Sequence, residues 1–171
     1  MAEPWLRGSL GEIHPVTRAV VHALEQARED VLAWTADLND VEVWALPHGL
    51  APVAFHLRHI AGSIDRLLTY ADGSQLAQAQ VRELRGEMVP GSTLNELRAL
   101  VTGRLLGAET LIREVDPARL EEPRWIGRKR MPTTLGGLLI HLAEHTQRHV
   151  GQLVTTVRVL REVRGMGEKR L

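Results

Sequence analysis

Apolar residues recur along most of the chain at steps of three and four, the spacing that puts them on one face of an α-helix. This pattern predicts four amphipathic helices with polar connections between them. Prolines stand at the starts of the first two helices, where their missing N–H costs nothing. The predicted helices run from Pro15 to about Asn39, from Pro52 to Ala71, from Thr93 to Val115, and from the 132–134 segment to Val163.

Four helices that each carry one apolar stripe bury those stripes most simply in a bundle. The long connections at 73–91 and 118–132 leave room for a crossover instead of a strict up-and-down order. We therefore predict an all-α four-helix bundle with long crossover connections. The length of 171 residues fits a single domain over 1–171, with a core at about 15–163 and tails at 1–12 and 164–171.

Composition narrows the classes of function. Lysine and arginine number 21, aspartate and glutamate also 21, and the formal net charge is +0, which argues against nucleic acid or an anionic membrane as partner. Without a membrane-length apolar run or a signal-peptide pattern, we expect a cytoplasmic protein. The absence of cysteine excludes disulfides, thiolate metal ligands and a cysteine nucleophile. Any metal must be held by imidazole, carboxylate or water.

The fourth predicted helix carries His141, His145 and His149 at a spacing of four, so all three point roughly the same way. A helical wheel places His145 and His149 near the centre of the apolar stripe and His141 at its edge. Burying an unpaired polar group costs roughly 1–3 kcal/mol. A divalent metal would satisfy both central imidazoles, as in zinc proteases. Hydrogen-bonded core histidines are the alternative, and the spacing alone leaves both interpretations open.

The second predicted helix offers two candidates for a third ligand. His56 lies closer to the apolar stripe of this helix, and His59 lies on its flank. Periodicity alone therefore favours His56.

Two segments, Phe55–Leu67 and His141–Gln152, resemble the DinB-like family of metal-binding four-helix bundles, which includes bacterial thiol S-transferases. The resemblance covers about residues 15–163. It implies a bundle with a crossover, a three-histidine site for zinc or nickel, and frequent homodimers. The His-Ile-Ala of the second helix falls on His59, and the His-x-x-x-His-x-Gly-Gln of the fourth falls on His145 and His149. The resemblance thus implies His59, His145 and His149 as ligands, with His56 in reserve and His141 in a supporting or structural role.

One position departs from the family pattern. Thiol-transferase relatives often have a doubled histidine before the Gly-Gln, and Arg148 takes the first of those places here. Arg148, together with Arg128 and Arg130 of the preceding basic segment, is a candidate for binding the acidic groups of a low-molecular-weight thiol. Gln152 or Glu144 is a candidate for orienting a ligand, although a solvent-facing position is the preferred interpretation for Glu144.

Three imidazoles leave a coordination position open, which suits a metal that binds substrate or water. The resemblance favours a stress-related transferase that activates a low-molecular-weight thiol as its thiolate. A metal-dependent hydrolase that uses a bound water is one alternative. A non-catalytic metal- or small-molecule-binding module of a stress response is another. Neutral charge and the lack of a carboxylate cluster disfavour a nuclease.

Overall fold

The computed structural model describes residues 2–8 and 10–168 and confirms the predicted four-helix bundle. Four long helices build it, and a short helix, α3, lies in the connection between the second and third of them. The helices are α1 (Pro15–Trp34), α2 (Val53–Ala71), α3 (Gln78–Gly86), α4 (Leu94–Arg113) and α5 (Leu135–Glu168). None of the described helices combines the length and apolarity needed to cross a membrane.

The packing order shows which connections cross the bundle. Helix α1 packs against α4 and α5, and α2 packs against the same two helices. The consecutive helices α1 and α2 therefore lie on one diagonal of the bundle, and α4 and α5 lie on the other. The connections along the diagonals, 35–52 and 114–134, therefore cross an end of the bundle. The predicted crossover connection at 118–132 lies within the second of these, whereas the connection at 73–91 joins the neighbouring helices α2 and α4. The largest fully buried side chains come from all four helices: Leu24, Leu57, Ile60, Ile64, Leu97, Leu105, Ile112, Leu138, Leu139, Leu142 and Leu153.

Two predicted helix ends are wrong. Helix α1 ends at Trp34, because Thr35 turns the chain and its hydroxyl donates to the Val31 carbonyl. Leu38 is buried beyond that turn, so apolar periodicity continued past the helix itself. Helix α5 continues to Glu168, so most of the predicted C-terminal tail is helical, and residues 169–171 lie outside the described part.

The second predicted loop contains a β-hairpin. Strand β1 (Pro123–Ile126) pairs with β2 (Met131–Thr134) in antiparallel register, and each strand is too short to show an alternating pattern. The buried Arg124 donates to the carbonyl of Ala71 at 2.6 Å and thereby fastens the hairpin to the end of α2. In the predicted N-terminal tail, Pro4–Leu6 forms a 3-10 helix against α1, while Met1 and Ser9 lie outside the described residues.

Arg58 of α2 bonds to three groups in and next to the connection between α3 and α4. Arg58 donates to the carbonyls of Gly86 and Val89 at 3.1 and 2.6 Å and to the Ser92 hydroxyl at 2.7 Å. Because Arg58 directly precedes His59 in α2, this clamp brings the start of the connection, Glu87, to the same part of the bundle.

Candidate metal centre

Three histidines meet between α2 and α5. His59 comes from α2, while His145 and His149 come from successive turns of α5. One ring nitrogen of each lies within 4.8 Å of the others, and Nε2 of His59 lies 2.9 Å from Nε2 of His145. Two nitrogens bound to one tetrahedral ion at about 2.1 Å stand roughly 3.4 Å apart. The three imidazoles are therefore close enough to share a single ion.

The electrostatics of the group favour metal binding. Burial, followed by the positive charge of neighbouring groups, lowers the pKa of His145 and of His149 to about 4. Both rings are consequently neutral at pH 7, and each offers a lone pair. An all-imidazole donor set suits divalent ions such as zinc and nickel better than magnesium or calcium. The residues present thus fit the metal that the sequence predicts.

A buried carboxylate holds His59 in place. Oε2 of Glu87 accepts a hydrogen bond from Nδ1 of His59 at 2.6 Å, and Nη1 of Arg66 donates to Oε1 of Glu87 at 3.0 Å. Burial by itself would raise the pKa of Glu87, but the hydrogen bonds and electrostatic interactions with His59 and Arg66 together outweigh it and lower that pKa. A carboxylate behind a histidine fixes the ring tautomer and leaves Nε2 for a metal. Sequence reasoning missed Glu87, because an acidic residue in a long connection was the only signal.

A glycine makes room for this carboxylate. A Cβ on Gly62 would lie 2.6 Å from Nη1 of Arg66 and 2.9 Å from Oε1 of Glu87. Both atoms are the far ends of side chains, so they would shift instead of blocking the fold. Gly62 therefore allows the Arg66–Glu87 ion pair to lie directly against α2.

Gly62→Ala is expected to weaken zinc binding about tenfold, because displacing Glu87 loosens its hold on His59. The matched control is Gly103→Ala on α4, where an added Cβ meets nothing within 4 Å. Gly103→Ala should stabilise the fold by about 0.5–1 kcal/mol through helix propensity and leave zinc affinity unchanged. Denaturant unfolding and competition with a zinc chelator measure the two effects. Equal zinc affinity in the two variants would show that the Arg66–Glu87 pair does not position His59.

His56 contacts His149 but does not belong to the three-histidine group. It is 3% exposed, and its Nδ1 lies 3.2 Å from Nδ1 of His149. Burial, then the charges of His149 and His59, lowers the pKa of His56 to about 4. In the tautomer with the proton on Nδ1 of His149, that nitrogen donates to Nδ1 of His56, and Nε2 of His149 stays free for a metal. Periodicity alone favours His56 as a ligand, but His56 is a neighbour of the three-histidine group and not a member of it. A helical wheel predicts which residues are buried, and it does not show which of them face the partner helix.

The metal-free protein is expected to melt at a lower temperature as the pH falls from 6.5 towards 4. In the unfolded chain His56, His145 and His149 take up protons near pH 6.5, whereas in the folded protein their pKa is about 4. The unfolded state binds more protons within this window. The free energy of unfolding is therefore greatest above pH 6.5 and decreases as the pH falls below it. Thermal melts in the presence of a chelator measure this. His56→Asn, with one titrating ring fewer, should show a shallower decline, and a flat profile down to about pH 4.5, where carboxylates begin to contribute, contradicts the prediction.

The remaining predicted residues lie at different distances from the group. His141 is exposed, with its ring centroid 5.5 Å from that of His145. Glu144 is exposed, in agreement with its preferred solvent-facing interpretation. Arg148 and Gln152 are exposed and line a groove beside the histidines.

The basic segment lies elsewhere. Arg128 and Arg130 belong to the hairpin turn, where the guanidinium of Arg130 lies over the Trp125 ring at 5.1 Å. The hairpin is fastened at Ala71, about 18 Å along α2 from His59. A part for these two arginines in substrate binding stays a prediction.

A sequence model described as the DinB superfamily matches residues 23–153, a range that contains all three histidines. This chain belongs to the DinB superfamily. The family that the two histidine segments predicted is therefore confirmed. No curated protein matches the chain.

A solved structure shares the fold of this DinB chain. YfiT from Bacillus subtilis superposes with a TM-score of 0.65 over 88% of this chain and 91% of its own, at 14% sequence identity. It is described as "a probable metal-dependent hydrolase with an unusual four-helix bundle topology". At this identity the likeness establishes the bundle and its topology.

Proposed function

We propose that this DinB protein is a metal-dependent transferase that activates a low-molecular-weight thiol at a divalent ion, zinc or nickel, held by His59, His145 and His149. The observation that carries the proposal is the meeting of three imidazoles, each from a long helix of the bundle. Three protein ligands leave a coordination position open for substrate, whereas a structural zinc site is closed by four.

The bound metal would supply the Lewis acidity that keeps an incoming thiol as its thiolate, the reactive form. The protein's own side chains prepare the site for it. Glu87 orients His59, and His56 orients His149. The Phe55 ring stacks on His59 at 5.3 Å between centroids and stands edge-on to His149 at 6.2 Å, which shields one side of the centre from water. Neutral ligands leave the full charge of the ion to attract an anionic sulfur.

A metal-dependent hydrolase is the second candidate, and the description of YfiT favours it. The same open position suits a water whose pKa is lowered by the ion. A non-catalytic binding module is the third candidate. A role in stress responses, the choice between zinc and nickel, and a homodimer remain predictions.

Metal analysis and two assays separate these candidates. Protein purified without a histidine tag is measured for metal, loaded with zinc or nickel, and assayed with cysteine or glutathione plus 1-chloro-2,4-dinitrobenzene. In that reaction the thiolate sulfur bonds to the ring carbon and chloride leaves. Hydrolysis of 4-nitrophenyl acetate is followed in parallel. We expect metal-dependent thioether formation that is lost in a folded His145→Ala variant.

Other outcomes reassign the function. Ester hydrolysis without thioether formation favours the hydrolase, and metal binding without either reaction favours a binding module. A protein that takes up neither zinc nor nickel contradicts the metal-dependent proposal as a whole.

A further inference from the structure

Five imidazoles form a continuous row through the candidate metal centre, in the part of the chain that the structure describes. In order, this imidazole row consists of His141, His145, His59, His149 and His56. The ring centroids lie 5.5 Å apart between the first two rings, then 5.1 Å, 4.3 Å and 5.5 Å along the rest of the row. Three imidazoles suffice for a metal with an open position. The two further rings therefore lie at opposite ends of the row.

The two ends of the row differ in their exposure to solvent. His56 is 3% exposed, and its Nδ1 lies within hydrogen-bond distance of Nδ1 of His149. The side chain of His141 is 48% exposed, and the three rings between the two ends are half-buried. The row is therefore closed at His56 and reaches solvent at His141.

Side chains cover the centre on the side of α2. The Phe55 ring packs against the rings of His59 and His149. The buried Glu87 lies against the other edge of His59 and is itself held by the buried Arg66. No such cover lies over His141 on α5, because that ring is among the exposed residues.

The charges along α5 differ in the same direction. The exposed carboxylate of Glu144 lies 4.0 Å from Nδ1 of His141. The positive charge of Arg148 acts on both His145 and His149. A hydrated cation is attracted by the carboxylate and repelled by the guanidinium. The charges therefore favour the approach of a cation from the His141 end of the row.

We propose that His141 and His145 form an outer metal site, which binds a divalent ion from solvent and passes it to the three-histidine centre. Histidines four residues apart on one helix present their rings on the same face. Each imidazole displaces one bound water, and His141 is displaced in turn once His59 and His149 have bound. The first contact holds the ion beside the centre, so the later contacts form at a high effective concentration.

The proposal rests on the metal of the proposed function, but it holds equally for a transferase, a hydrolase and a binding module. His141 lies outside the group of nitrogens within 4.8 Å of one another, so it is not a ligand of the completed centre. A side chain that acts only during entry changes rates and leaves the equilibrium unchanged. Loss of His141 should therefore slow zinc uptake and zinc release by the same factor, since their ratio is the Kd.

Stopped-flow fluorescence of protein without a histidine tag tests this. Metal-free protein is mixed with zinc and a fluorescent zinc indicator to measure uptake, and zinc-loaded protein is mixed with excess EDTA to measure release. We expect His141→Ala to slow both about fivefold at an unchanged Kd. Thermal melts of the metal-free variants show that each is folded.

His48→Asn is the matched control. His48 is also exposed, but it belongs to the 3-10 helix Pro47–Gly49 and makes no ring contact with the row in the described part of the chain. Its φ of 49° is one that asparagine tolerates. This variant should take up and release zinc at wild-type rates.

The possible results separate the two proposals. A wild type that takes up no zinc overturns the proposed function and this inference together. Wild-type rates of uptake and release in His141→Ala overturn the inference alone. Slower uptake with unchanged release also overturns it, because His141 would then stabilise the bound state. An equal loss of rate in His48→Asn overturns it as well, because any surface histidine would then serve.

Discussion

His149→Ala is expected to abolish stoichiometric binding of zinc or nickel. Removing one of three imidazoles leaves two protein ligands, and we expect the affinity to fall by about 100-fold or more. A metal at 100 times its Kd stabilises the folded state by about 2.7 kcal/mol, which for a chain of this size raises Tm by roughly 5–10 °C. The variant should lose that rise. Metal analysis after gel filtration and thermal melts with and without zinc measure both effects.

His141→Ala is the matched control. It removes the same side chain from the same helix, but His141 is exposed and lies outside the group. It should bind metal with wild-type stoichiometry and keep the full rise in Tm. If His149→Ala binds zinc as tightly as His141→Ala, the three-histidine centre is wrong. Melts of the metal-free variants show whether His149→Ala still folds, since it leaves His56 without its partner.

Glu87→Gln is expected to lower zinc affinity by about 10- to 100-fold although all three imidazoles remain, a typical effect of losing a carboxylate behind a ligand. The amide cannot hold Nδ1–H of His59 with the same strength, so the ring is less firmly oriented and Nε2 is less basic. The change also leaves the buried Arg66 guanidinium unpaired, which costs about 3 kcal/mol of stability. Competition with a chelator measures the affinity, and denaturant unfolding measures the stability.

A double variant separates these two consequences. Glu87→Gln with Arg66→Met removes both buried charges, so stability should recover while zinc affinity stays low. Glu83→Gln, the same charge change at an exposed position of α3, should alter neither. If affinity returns together with stability in the double variant, Glu87 acts only by holding the fold.

The bundle was predictable because its signals are local and repeated. Each long helix carries an apolar stripe over several turns, and the Thr93–Glu96 capping box that begins α4 is present in the structure. Termini and connections were less predictable. Leu38 is buried in the turn after α1, so the apolar spacing of the helix continues past its true end. The two hairpin strands are too short to show a periodic pattern.

The candidate centre also contains residues that the sequence indicated and one that it did not. Spacing within one helix made His145 and His149 candidates, and the resemblance selected them together with His59, which the helical wheel did not favour. Glu87 contacts His59 across 28 residues, through a hydrogen bond that has no counterpart in any periodic pattern. Its place depends on the clamp of Arg58 and on the missing side chain of Gly62, two conditions that appear only once the chain is folded.

The distance along the chain between the meeting histidines has a consequence for biosynthesis. His59 precedes His145 by 86 residues, and α5 is needed to cover both α1 and α2. While a ribosome makes this protein, the first imidazole is therefore exposed long before its partners exist. All three imidazoles come together only when α5 docks against α2, so we expect full zinc affinity only in the completed bundle.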